Sequence, residues 1–429
     1  MSDAFGKRNG LAYGLLGLPL AFVALPLYVI LPNHYAREFG VPLATLGAIL
    51  LGARLFDAFI DPLLGRLSDR LFARSPADVL KLGAFAAVVL AMGFALLFFP
   101  LVGTPGALIV WASVMLMVTY AAYSALSVSH QSWGAMLGGN EAQRSRIVAW
   151  REGLGLVGVV LASVTPVALG LPVTTAIFFV ALVAGWLAWT RAVRPHAKPH
   201  VGAQASGAQP GAILRPFKHA SFRRLLAVFM LNGIASAVPA TLVLFFIQDR
   251  LQAPASMEPL FLGSYFLSAA LSIPLWLAVV KRIGLARAWL CGMALAIAVF
   301  AWATQVGAGQ TGAFLAICAL SGIALGTDLA LPGALLAGVI QANGDSGRAE
   351  GAYFGWWNFA TKLNLALAAG LALPLLGLFG YAPGVRDQAA LGALVVAYCV
   401  LPCLLKLAAA GGLYFFIIKP PNHPEGATA

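Results

Sequence analysis

The chain has 429 residues, 61% of them hydrophobic and only 10% charged, with a formal net charge of +12. Soluble domains carry about 25% charged residues, so this composition excludes a water-soluble enzyme. The cations do not build a nucleic-acid face, because they fall in short loops between apolar runs of about 20 residues, the length a bilayer demands.

Lys7 and Arg8 precede an apolar run over 11–31 that is too long for a signal-peptide core and lacks a cleavage site, so it reads as a retained first helix. Twelve helices are expected near 10–32, 43–68, 79–100, 106–136, 145–169, 172–192, 222–249, 258–281, 286–307, 311–340, 348–380 and 388–418. A polar linker rich in Pro, Gly and Ala, with a basic end, separates the sixth from the seventh. The chain therefore divides into an N-terminal six-helix bundle (1–192), a cytoplasmic linker (193–221), a C-terminal six-helix bundle (222–418) and a disordered cytoplasmic tail (419–429).

Orientation follows from Lys and Arg. Even-numbered loops and the termini hold Lys7, Arg8, Arg66, Arg70, Arg74, Lys81, Arg144, Arg146, Arg191, Arg194, Lys198 and the basic residues from Arg215 to Arg224. Lys281, Arg282, Arg287, Arg348 and Lys419 continue the pattern, whereas odd-numbered loops hold Arg37, Arg250 and Arg386. Both termini should face the cytoplasm of a bacterial inner membrane. The turns after helices 2 and 8, PLLGRLSDRLFAR and PLWLAVVKRIGLAR, place cations at corresponding points of the two halves. The expected fold is an all-α membrane protein of twelve transmembrane helices in two six-helix bundles, the major facilitator fold.

Cys291, Cys318, Cys399 and Cys403 lie within apolar spans and read as small buried residues rather than metal ligands. No HExxH, CxxC, GxSxG or P-loop pattern occurs, so neither enzyme activity nor a cofactor is expected.

The informative residues are the charges left inside the membrane. On helix 2, Arg54, Asp57 and Asp61 recur at spacings of three and four, which puts them on one face. Intramembrane carboxylates cost roughly 2.5–3.5 kcal/mol each on insertion scales and commonly mark ion pathways. Two close carboxylates cannot both ionise freely, which suits them to exchange a proton. The competing reading is a set of salt bridges to Arg54 and Lys362 that only joins helices. Lys362, deep in helix 11, would act as a counter-charge that a coupling ion displaces.

Arg151 and Glu152 on helix 5 point about 100° apart and are expected to serve different neighbours, Glu152 pairing with Arg144, Arg146 or a loop cation. Asp328, one turn before Pro332 on helix 10, reads either as a cavity-lining acid or as a cap at the kink. Lys406 receives no role. On helix 4, Tyr120, Tyr123 and Ser127 share a face and would form a hydrogen-bonding wall. His130, near the end of that helix, reads as an interface residue. Asp69 in GRLSDRLFAR should accept backbone hydrogen bonds at a helix end and pair with an arginine, Arg70 and Arg144 being gating candidates.

With these residues in view, the chain resembles the glycoside–pentoside–hexuronide:cation symporter family, the melibiose-permease-like branch of the major facilitator superfamily. The resemblance rests on ARLFDAFIDPLLG (53–65), QRSRIVAWR (143–151), GRAEG (347–351) and FATKLNLALAAGLALPLLGLFGY (359–381). It implies cation-site roles for Asp57 and Asp61, a coupling role for Lys362 and a cavity position for Arg151, with Trp133 and Asn358 near the solute; Trp357, beside Asn358, is a further solute-binding candidate.

The acids that sugar-binding members carry on helices 1 and 4 are absent, Pro19 or a neighbour standing at the first place, so a galactoside is not the expected solute. Ile60 stands where an amide oxygen could complete a sodium shell, which favours a proton. The expected function is secondary active, cation-coupled symport of a small glycoside-like or amphipathic solute by alternating access. The partners are that solute, the proton or sodium ion and the lipid bilayer, with no nucleic acid; a monomer is compatible with the sequence. The alternative is a lysolipid transporter or scramblase-like facilitator without tight ion coupling.

Overall fold

The computed structural model describes residues 5–41, 43–195, 212–378, 381, 384 and 387–419. Apolar runs that must satisfy their own backbone in lipid become helices, and no strand occurs among the described residues. The helices are α1 (7–38, in segments), α2 (Leu43–Arg74), α3 (Pro76–Phe98), α4 (Pro105–Met136), α5 (Glu141–Pro166) and α6 (Ala168–Thr190). A short helical segment, Arg215–Lys218, precedes α7 (Ala220–Arg250), α8 (Glu258–Ile283), α9 (Leu285–Ala303), α10 (Thr311–Ala342), α11 (Glu350–Leu378) and α12 (Gln388–Ile418). Ten of these are long and apolar enough to span a membrane, and α2 and α11, of 32 and 29 residues, complete the twelve helices.

Local chemistry sets the boundaries. Ser75 and Asn140 cap α3 and α5 by accepting from Ala77 N and Gln143 N at 3.0 and 2.9 Å. Pro76 and Pro105 open α3 and α4, where the missing N–H has no cost. The kink in the first turn of α6 and the turn before α9 require a residue with positive φ, supplied by Gly170 (φ 78°) and Gly284 (φ 80°).

The chain forms two compact units. Unit 1 comprises residues 1–218 together with 337–359; unit 2 comprises 219–336 and 360–429. The end of α10 and the start of α11 thus belong with the N-terminal helices, a grouping that a linear reading of the chain does not give. Two glycines bring α2 and α11 together: a Cβ on Gly65 or on Gly351 would collide with the other's carbonyl oxygen. Residues 196–211 of the linker, among them Lys198, lie outside the described residues, as do Arg386 and the tail from 420.

Unit 1 packs around an aromatic and aliphatic core that includes Phe22, Phe94, Phe98, Phe178, Trp133 and Trp189. Unit 2 packs around Phe246, Phe261, Phe314 and Tyr398. Cys318 and Cys399 are buried and Cys403 partly so, but Cys291 is exposed on α9, a correction to the expectation of four buried thiols.

Candidate functional site

In unit 1, α2 carries Asp57 and Asp61 one turn apart, and both are buried, at 1% and 0% exposure. Ser124 of α4 donates its hydroxyl to Asp57 Oδ1 at 2.6 Å. That contact fixes one carboxylate against a polar wall: Tyr120 is buried, Tyr123 half-buried, and Ser127 accepts from Gln131 Nε2 at 2.8 Å. The backbone at Asp61 lies against Gly355 of α11, where a Cβ would stand 2.7 Å from Asp61 O. Arg54 is exposed while the two acids are buried, so the helical face shared in the sequence divides in the structure. Ser124 is the residue that sequence reasoning passed over; its spacing of four from Tyr120 and three from Ser127 was the available signal.

Arg151 and Glu152 do not serve different neighbours. The guanidinium bonds its adjacent carboxylate, Nε and Nη2 reaching Glu152 Oε1 at 3.0 and 2.5 Å. Two long side chains bend across the 100° between their Cβ directions, which short ones could not do. Beside them His130 is buried, stacked on Tyr13 with centroids 4.3 Å apart, and its Nε2 donates to Tyr13 O at 2.8 Å. Tyr13 returns a bond from its hydroxyl to His130 O at 3.1 Å, so the pair is an α1–α4 interface contact.

Trp133 is also an interior packing residue. It is fully buried, donates its indole N–H to Val193 O at 2.9 Å and lies against Phe72 and Trp189. These contacts place Trp133 in the core of unit 1.

Asp69 is bound as expected at a helix end. Its oxygens accept from Gly351 N at 2.6 Å and Ala352 N at 2.8 Å, capping α11. Both oxygens go to backbone rather than to an arginine, and Arg70 is exposed. Arg144 bonds Gly139 O at 2.7 Å and Gln341 Oε1 at 2.9 Å, joining α5 to the end of α10. Trp357 is buried and Asn358 half-buried in the part of α11 that belongs to unit 1. Lys362 is half-buried in the part that belongs to unit 2.

Asp328 is neither a kink cap nor an open acid. Asn232 Nδ2 and Trp289 Nε1 donate to its Oδ1 at 2.9 and 2.8 Å. Ser236 Oγ and Lys406 Nζ both donate to its Oδ2 at 3.1 Å. A carboxylate has about four acceptor positions, and here protein donors fill them. The expected solute contact is thereby replaced by an ion pair with Lys406, a residue given no role from sequence. Asn232, Ser236 and Trp289 carried no signal either, because single polar residues on otherwise apolar helices show no periodicity.

The long apolar helices define a polytopic membrane protein, and the proteins it is similar to are transporters. The fold matches a bacterial homologue of the iron transporter ferroportin in its outward-facing state, with TM-score 0.70 at 16% identity over 95% of this chain and 98% of that one. It also matches a variant of the Escherichia coli fucose:proton symporter FucP, with TM-score 0.68 at 15% identity over 94% and 97%. These likenesses establish the major facilitator fold. Among curated proteins, an uncharacterized symporter of Bacillus subtilis, YjmB, is 24% identical over 437 residues, covering 95% of this chain and 92% of the relative. The chain belongs to the MFS/sugar transport protein family, whose profile matches residues 10–419.

Proposed function

We propose that this protein is a proton-coupled symporter of the melibiose-permease-like branch, carrying a small polar organic solute across a bacterial inner membrane by alternating access. The observation that carries the reading is the pair of buried carboxylates on α2, Asp57 and Asp61, with the Ser124 hydroxyl bonded to the first. Buried intramembrane acids on one helix are costly, and exchange of a coupling ion gives that cost a purpose. A proton needs one acceptor, whereas sodium needs a shell of oxygens, and Ile60 between the acids adds none. The symporter relatives support the same reading, one named a symporter and the other a fucose:proton symporter.

Within this reading Asp57 and Asp61 hold the coupling ion, and Lys362 links ion occupancy to solute movement. Arg151, held by Glu152, and the α4 wall of Tyr120, Tyr123 and Ser127 face the solute, with Trp357 and Asn358 nearby. The solute class is a glycoside, pentoside or hexuronide other than a galactoside. Both termini are cytoplasmic, as the distribution of Lys and Arg requires.

Proteoliposomes loaded with a pH-sensitive dye and exposed to monosaccharides, hexuronates and glycosides test the reading. A transported solute acidifies the lumen, and Asp61→Asn abolishes the acidification while leaving the protein folded. Solute that equilibrates without a pH change, or unchanged uphill uptake by Asp61→Asn, overturns it.

A further inference from the structure

Unit 2 contains a closed polar network that the acids of α2 do not explain. Lys406 of α12 is only 3% exposed, and its ammonium has three protons to place. They go to three oxygens of different kinds: the Asn232 amide at 2.8 Å, the Ser236 hydroxyl at 3.0 Å and the Asp328 carboxylate at 3.1 Å. Two of these oxygens come from α7 and one from α10, while the ammonium enters from α12.

The oxygens are also held in place by bonds that do not involve Lys406. Asn232 orients its amide by donating to Asp328 Oδ1, and Trp289 of α9 donates to the same oxygen at 2.8 Å. Ser236 donates its proton to Asp328 Oδ2, which turns the lone pairs of Oγ away from that bond. The set is therefore preassembled with one negative charge and two neutral oxygen ligands, the complement of a single monovalent cation. Inside a bilayer-spanning bundle, with its side chain 16% exposed, such an anion requires a cation beside it.

We propose that Asn232, Ser236 and Asp328 form a monovalent-cation cage that the chain fills with its own Lys406 ammonium, so that unit 2 carries a resident cation and exchanges none. The cage stands on the geometry of unit 2; that no ion is exchanged there during a cycle rests on the transport reading above. The ligand class is an ammonium head. Distances of 2.8–3.1 Å fit charged N–H···O bonds, and a bare sodium ion would need the oxygens to close in.

Thermal unfolding of the purified full-length chain in detergent, without solute or gradient, tests the cage apart from transport. Lys406→Ala is expected to melt below wild type and to recover by several degrees in methylammonium chloride, but not in choline chloride at equal ionic strength. Wild type should not respond. The double variant Asp328→Asn/Lys406→Ala, which removes both charges, should fold and ignore methylammonium. Should Lys406→Ala unfold on extraction, extraction with methylammonium present throughout is expected to return a folded, monodisperse peak that choline does not. Equal effects of the two cations overturn the proposal, as does the absence of any peak in either salt while the double variant folds.

Discussion

Asp57 and Asp328 are both membrane-embedded carboxylates, and their surroundings set them apart. Asp57 takes a hydroxyl from Ser124, whereas Asp328 is enclosed by an amide, an indole, a hydroxyl and an ammonium. A hydrogen bond to an ionised group contributes about 1.5–3 kcal/mol, so Ser124 is poised to tune whatever ion occupies Asp57. If a proton couples transport, Ser124→Ala removes a bond that holds the ion-site carboxylate in place, and uptake driven by a pH gradient should fall severalfold. If sodium couples transport, the same change should instead raise the sodium concentration for half-maximal uptake. Uptake titrated against pH and against sodium separates the two. At the neighbouring pair, Glu152→Gln should weaken solute affinity more than turnover, because it removes the carboxylate that orients Arg151; the KM and maximal rate of uptake check this.

At the scale of elements, the α2–α11 crossing is the contact most sensitive to added volume. Gly65 and Gly351 meet backbone to backbone, so Gly351→Ala forces the helices apart and should cost about 1–3 kcal/mol, read from the melting curve of the purified protein. Asp69 caps the same helix through two N–H groups, and Asp69→Ala should lower stability by about 1–2 kcal/mol, with Asp69→Asn keeping part of the cap. The helix positions were legible in the sequence because apolar length and flanking cations are one-dimensional signals. The fine divisions were not. That 337–359 packs with the N-terminal helices depends on which glycines and caps meet, and no periodicity announces that.

At the scale of the whole molecule, the linker is anchored rather than loose where it re-enters the described chain. Arg215 pairs with the buried Asp345, Nε to Oδ1 at 2.9 Å, and Tyr353 donates to the other Asp345 oxygen at 2.8 Å. Trp356 donates to Ile213 O at 2.8 Å and meets Phe217 edge-on at 4.9 Å. Asp345→Asn removes the charge that holds Arg215 and should speed tryptic cleavage after Arg215 and Lys218 severalfold, followed by gel analysis of the intact membrane protein. The proposed orientation has its own test: a fluorescent protein fused to the C-terminus should fluoresce, and a periplasm-dependent phosphatase at the same place should stay inactive.

Composition, hydropathic length and the spacing of Asp57 and Asp61 were sufficient to read a polytopic transporter with acids on its second helix, since each is a property of the chain taken in one dimension. Partnership was decided only in three dimensions. Arg151 turned to its own neighbour, Trp133 went to the interior, and Asp328 was claimed by Lys406, which lies 78 positions away along the chain. A charge buried in lipid must find its opposite wherever the fold brings one within about 3 Å, and that distance is set by helix packing rather than by sequence order.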